Sequence, residues 1–140
     1  MEIRNYTLSV ATTSKTDLID ITREVSQRVR ESGIAEGSVL VFVPGSTAAL
    51  TTIEYEGGVI EDLREAVERL APEGLRYRHD ARWGDGNGYA HVRSALLGPS
   101  LTIPVIEGRP VLGTWQQVIL CDFDNRPRKR QVVIQVMGNR

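Results

Sequence analysis

Apolar and polar residues alternate in distinct periods along this chain. Over residues 3–12, Tyr6, Leu8 and Val10 fall on every second position, the period of a strand. Leu18, Ile21, Val25 and Val29 then recur at spacings of three and four. That spacing predicts a helix opening near Ser14 or Thr16, either of which is a suitable N-cap, with Asp17 near its start and Gly33 as its stop. Residues 38–43 (SVLVFV) are almost wholly apolar and predict a buried strand. Pro44-Gly45 breaks it, and residues 48–55 read as extended. Val59, Leu63, Val67 and Leu70 share one face of a second helix over 58–70, ended by Pro72 and Gly74. A polar, glycine-rich stretch follows, and from about Asn87 it starts a short helix closed by Gly98-Pro99. The remainder is rich in β-branched residues and predicts strands over 101–106, 111–123 and 131–137, with turns at Glu107-Gly108 and at 124–127. Strands outnumber helices, and sequence neighbours can pair antiparallel. The expected class is α+β: an antiparallel β-sandwich with flanking helices, built as one domain over residues 1–140.

Composition narrows the functional classes. Hydrophobic residues make up 41% of the 140 and charged residues 25%, and the net charge is −1. This balance implies no basic face, so neither nucleic acid nor an anionic membrane is the expected partner. The single cysteine, Cys121, lies in the apolar run VILCDF. An internal disulfide and a thiolate metal cluster are therefore excluded, and a buried strand cysteine is expected. The opening residues MEIRNYTLSV lack a signal pattern, and no apolar run has the length of a membrane span. A soluble, cytoplasmic protein is expected.

Three stretches carry candidate chemistry. "YRHDARWGDGNGYAHVR" (77–93) holds both histidines, His79 and His91, beside Asp80 and Asp85. Imidazoles and carboxylates suit a divalent metal with an open position, or acid–base work near neutral pH. If a helix starts at Asn87, Asn87 and His91 lie one turn apart and face one cavity. The spacing of twelve across a glycine loop is no standard metal signature, so two hydrogen-bonded loop histidines are the competing reading. "VPGSTAALTTIEYE" (43–56) turns at Gly45, Ser46 and Thr47. Backbone N–H groups and two hydroxyls there suit a phosphate or carboxylate, or form an ordinary turn. Glu54 and Glu56 fall on one strand face, either a paired acid–base site or a solvated edge. Finally, Trp115 and Gln116 offer a flat face and an amide to an aromatic ring, or belong to the core. Arg128 and Arg130 in "RPRKR" offer guanidinium forks to a phosphate, or an exposed turn. "GDGNG" (84–88) lacks the strand–loop–helix setting of a dinucleotide site.

Taken together and in this order, the segments "VFVPGSTAALTTIEYE", "YRHDARWGDGNGYAHVRSALLGPSLTIPV" and "GRPVLGTWQQVILCDFDNRPRKRQVVIQV" resemble the YjbQ family, also called UPF0047, over essentially the whole chain. The resemblance implies an α+β sandwich with outer helices, a homotrimer with pockets near subunit interfaces, and a thiamine-phosphate synthase-like activity. That reaction couples a hydroxymethylpyrimidine diphosphate to a thiazole phosphate and releases pyrophosphate. It implies a metal or catalytic cluster at His79 and His91; from the reaction's need to stabilise anions, catalytic roles are expected for His79, His91 and Glu54, and a divalent metal (magnesium or zinc) on His79, His91 and Asp85. Gly45, Ser46, Thr47, Asn87, Trp115, Gln116, Arg128 and Arg130 become the residues expected to bind substrate or anion. Two other classes fit the same residues: a trimeric, non-enzymatic binding protein for a phosphorylated metabolite, and a metal-assisted phosphate-ester hydrolase. One departure stands out. Many bacterial relatives carry His-Thr-Thr-Ala where this chain has Gly45-Ser46-Thr47-Ala48, so a three-histidine site is impossible within this chain.

Overall fold

The computed structural model describes residues 1–140. It orders the chain as β1 (Glu2–Ala11), β2 (Asp17–Asp20), α1 (Thr22–Ser32), β3 (Glu36–Phe42), β4 (Ala48–Ile53), α2 (Gly57–Leu70), α3 (Arg78–Trp83), α4 (Gly88–Leu97), β5 (Ser100–Ile106), β6 (Arg109–Pro110), β7 (Gln117–Asp122) and β8 (Lys129–Asn139). All strand pairings are antiparallel. They form a five-stranded sheet in the order β1-β8-β3-β5-β6 and a three-stranded sheet in the order β2-β7-β4.

The alternation in the sequence sets the layers. Val39 and Val41 of β3, Ile103 and Val105 of β5, and Val132, Ile134 and Val136 of β8 point inward and meet Val118 and Leu120 of β7 and Leu50 of β4. Ile21, Val25 and Val29 of the α1 region join this core. Because α1 touches both β1 and β6, the opposite edges of the larger sheet, that sheet curls around the helix. The other face of the small sheet carries Ala49, Ile119, Cys121 and Phe123, covered by Val67 of α2 and by Tyr89 and Ala90 of α4. Strand β7 is thus buried on both faces, which explains why VILC reads as an unbroken apolar run. Cys121 is fully buried, as expected, and burial pushes its thiol up to about 12.

Four sequence expectations change. Residues 17–20 are a short strand paired with β7 rather than the first turn of a helix. Neither Ser14 nor Thr16 caps α1; the Asp20 carboxylate accepts from the Thr22 N–H and hydroxyl at its start. The segment expected to be one strand over 111–123 is a loop over 111–116 followed by β7. Residues 78–83 form a helix, α3, that periodicity did not indicate. Gly33 does end α1, in the left-handed conformation. No helix is long and apolar enough to cross a membrane.

Candidate functional site

Three polar segments that are distant in sequence meet at one end of the small sheet. β4 pairs with β7 from Ala48 opposite Asp122 to Ile53 opposite Gln117. This register brings the 45–47 turn beside the 122–130 turn, and α4 packs on β4 with its N-terminal end nearby.

Buried carboxylates tie these segments together. Asp124 is 1% exposed and accepts from the Thr47 hydroxyl (2.9 Å), the Asn87 side-chain N–H (3.1 Å) and the Arg126 backbone N–H (3.0 Å). Arg128 Nη2 lies 3.2 Å from it. Burial alone would raise the Asp124 carboxyl. The bonds donated by Asn87, Arg126 and Thr47, with the charge of Arg128, outweigh burial and hold it below its ordinary value. Asp122 is fully buried and receives Arg130 through Nε (2.7 Å) and Nη2 (2.9 Å) and the Thr12 hydroxyl (2.7 Å). The hydrogen bond to Asp122 raises the Arg130 guanidinium, against the opposing effect of burial. Arg130 Nη2 also donates to the Thr47 hydroxyl (2.7 Å). Asp122 and Arg130 continue the inward-facing positions of β7 and β8, so the pair closes this end of the sandwich.

On this platform sit the histidines. His79 on α3 and His91 on α4 stack with ring centroids 4.3 Å apart and planes tilted by 42°. His79 Nδ1 lies 3.2 Å from one oxygen of Asp80 and 3.4 Å from one of Asp85. The Gly88 N–H donates to the same Asp80 oxygen at 2.8 Å. Glycine is needed at 88: a β-carbon there would stand 2.5 Å from the Tyr77 β-carbon, so any other residue would push α3 from α4. Ligand atoms of His79, Asp80 and Asp85 lie within 4.8 Å of one another. One nitrogen and two carboxylates at such spans fit a divalent cation with positions left for substrate or water. His91 packs against the His79 ring rather than joining this triangle, and Asp80 completes it.

His91, Gly45 and Ser46 line one depression of about 250 Å³ with Ser94, Gly98 and Pro99. The 45–47 turn is made for glycine: Gly45 has φ +127°, and a β-carbon there would lie 3.0 Å from Arg130 Nη1. Arg130 Nη1 has no protein acceptor, which leaves a donor beside Gly45.

The chain matches the family model described as UPF0047 protein YjbQ-like over residues 6–139. It belongs to the YjbQ family. It is 39% identical to a UPF0047 protein of Archaeoglobus fulgidus, over 93% of this chain and 98% of that one. It is 38% identical to the UPF0047 protein YugU of Bacillus subtilis, over 94% and 98%. Among solved structures, a YbjQ-like protein of unknown function from Sulfolobus solfataricus superposes with a TM-score of 0.88 at 31% identity, covering 99% of this chain and 100% of that one. A YjbQ/UPF0047 protein from Clostridium acetobutylicum gives 0.86 at 32%, covering 94% and 99%. The expected α+β fold is that of these YjbQ-like structures.

The YjbQ-family chain thus gathers His79, His91, Asp85, Gly45, Ser46, Thr47, Asn87, Arg128 and Arg130 at one end. It does not bring Glu54, Trp115 or Gln116 there. They stand at the opposite end of β4 and β7, where Gln116 Nε2 donates to the Thr52 hydroxyl (3.3 Å) and Trp115 is 72% exposed. Six strand residues separate the two ends by roughly 17–20 Å. Glu54 and Glu56 both lie past β4, on no strand face, and line one depression with Trp115. Glu56 caps α2, accepting from Gly58 (2.7 Å) and Val59 (3.1 Å), and those bonds lower its carboxyl. Thr47 and Asn87 are buried in the Asp124 network, so their side chains position the site rather than face it. Sequence reasoning passed over Asp122 and Asp124. The available signal was two carboxylates at i and i+2 closing an apolar strand, with arginines following: buried acids require partners.

Proposed function

We propose that the site built on His79, His91, Asp80 and Asp85 takes the phosphate end of a small molecule, and that its reaction is of the thiamine-phosphate synthase type. The shared depression of His91 with Gly45 and Ser46, next to the free Nη1 of Arg130, carries this reading. It sets an imidazole beside anion donors. In the reaction, the thiazole nitrogen attacks the pyrimidine methylene carbon. A carbon–nitrogen bond forms, the carbon–oxygen bond to the diphosphate breaks, and pyrophosphate leaves with the electron pair. The step needs positive charge and N–H donors where the leaving group gains charge. Arg130 Nη1 and the 45–46 backbone supply them, and Arg128, partnered by Asp124, adds positive charge at the rim. His91 holds or delivers a proton at the departing oxygen, and Asp80 and Asp85 orient the His79 ring behind it. A divalent metal, magnesium or zinc, would be held by His79, Asp80 and Asp85 and would neutralise phosphate charge.

Self-association is the second part of the proposal. The outward positions of β1, β8, β3 and β5 include Ile3, Leu40, Phe42, Val133, Met137 and Pro104, and none of their outward neighbours between Ile3 and Pro104 is charged. A broad uncharged sheet face favours burial against a second copy. In the proposed homotrimer Glu54, Trp115 and Gln116 would meet the histidine end only across a subunit boundary. Light scattering on the purified protein tests this, with three times the chain mass expected and the chain mass as the contradicting result.

The activity is tested with EDTA-treated protein, both substrates, and added Mg²⁺ or Zn²⁺. Metal-dependent thiamine phosphate is expected, and no product at any metal concentration overturns the synthase reading. Thermal stabilisation by the diphosphate substrate without turnover would favour a binding protein, since a ligand stabilises by mass action alone.

A further inference from the structure

A second concave site lies away from the histidines, between α1 and the 108–117 loop. It encloses about 300 Å³. Arg30 and Arg109 face it together with Ser26, Thr114 and Gln116, and Leu112 is its one hydrophobic lining residue. Neither guanidinium has a carboxylate within 4.0 Å or donates a hydrogen bond to the protein. Other exposed arginines are also unpaired; these two converge on one cleft. Arg30 borders a neighbouring depression that holds Glu107, and no ion pair forms there either. The hydroxyl of Ser26 makes no hydrogen bond, whereas Gln116 is fixed by the Gly113 N–H (3.0 Å) and the Thr52 hydroxyl. The loop that presents Gln116 and Thr114 is the "LGTWQ" motif, which lies away from the histidine end of the same chain.

We infer that this cleft binds the phosphate group of a small, non-aromatic, hydroxyl-bearing molecule. Two guanidiniums with open forks are the side chains best matched to a phosphate, and hydroxyl and amide groups suit the polyol that carries it. A single leucine offers little to an aromatic ring, and the volume is at the small end for ligand sites.

The test is an NMR titration of the full chain with glycerol 3-phosphate, followed at backbone amides. Saturable shifts are expected at Ser26, Gly108, Gly113 and Thr114. The Arg30→Gln/Arg109→Gln double variant should raise the titration midpoint about tenfold or more, because both forks are lost. Arg30→Lys should weaken binding less, and His91→Ala should leave the midpoint unchanged. Both arginines are exposed, and unshifted amides at Val39 and Val136 verify the fold of each variant. The inference fails if those four amides do not move, if sodium chloride of equal ionic strength moves them equally, or if the double variant titrates like the wild type. Shifts confined to Gly45, Ser46 and His91 would overturn this inference and leave the histidine-site reading standing. Shifts confined to the cleft would support this inference and leave the histidine-site reading to its own two-substrate assay.

Discussion

Replacing Asp124 by alanine should be among the most damaging single changes near the site. The carboxylate is buried and accepts from Thr47, Asn87 and the part-buried Arg126 amide, so alanine removes the acceptor of three donors, two of them buried. A stranded buried donor costs about 1–3 kcal/mol. Arg128 adds little, since its side chain is 39% exposed. Partial relaxation keeps the three costs from adding fully, which gives on the order of 3–5 kcal/mol for Asp124→Ala. Asp124→Asn keeps the shape and one acceptor and should cost about half as much. Urea unfolding at pH 7 and fixed protein concentration reads both, with the slope m unchanged. A cycle with Thr47→Val should give a coupling of at least ~0.5 kcal/mol. The acid limb carries a further signature. The Asp124 carboxyl is held below 3.8, so its contribution is complete above that value and is lost as pH falls through its lower folded value. The gap between wild type and Asp124→Asn should therefore be constant from pH 7 to about 5 and close below about 4. An Asp124→Ala variant within 1 kcal/mol of wild type, on the order of one hydrogen bond, or a coupling of zero, would refute the claim that this carboxylate joins the 45–47 turn to α4.

Three further outcomes follow from the packing. Gly45→Ala should cost about 1–3 kcal/mol in the same unfolding assay, because φ +127° admits a β-carbon only with strain; a neutral result would show that the turn relaxes freely. By the same reasoning Gly45→His should be strained. Arg93, 2% exposed, donates to the Ala71 carbonyl (2.9 Å), the Thr16 hydroxyl (2.8 Å) and Glu68 (2.5 Å), and lies over the Tyr89 ring at 4.9 Å; Arg93→Ala should cost about 3–5 kcal/mol, and Arg93→Met less, because methionine retains the packing. Cys121 should resist a thiol reagent at pH 8 in the folded protein and react on denaturation, since its thiol is buried and pushed up to about 12; rapid labelling of the native chain would contradict its placement in β7.

Much of the fold was legible because two periods in the chain are clean. The alternation in β1 and the helical spacing of Val25 and Val29 each reflect one buried face, whereas β3 and β8 read as apolar and β-branched runs and prove to alternate, with Phe42 of β3 facing outward. The errors have physical causes. Leu18 and Ile21 fit a helical period, yet β2 has four residues, too few to show alternation. Helix α3, RHDARW, buries no residue and so has no apolar stripe. Residues 111–116 carry Val111, Leu112 and Trp115 in a loop, where composition mimics a strand. The histidine cluster was only half legible. Its residues were evident from type and family resemblance, but its supports, Asp122 and Asp124, depend on long-range contacts with Thr12, Thr47 and Asn87 that no local pattern reveals. The missing third histidine also has a structural counterpart: Gly45 is in a conformation that disfavours any side chain, and Asp80 completes the cluster instead.

The most direct measurement of the proposed site is thiamine phosphate formation by wild type, His79→Ala and His91→Ala, with Mg²⁺ and both substrates saturating. Wild-type turnover is predicted, falling at least ~100-fold in each variant while the folded circular dichroism spectrum is retained. Product formed equally well by the variants, or none formed by the wild type, would contradict the account.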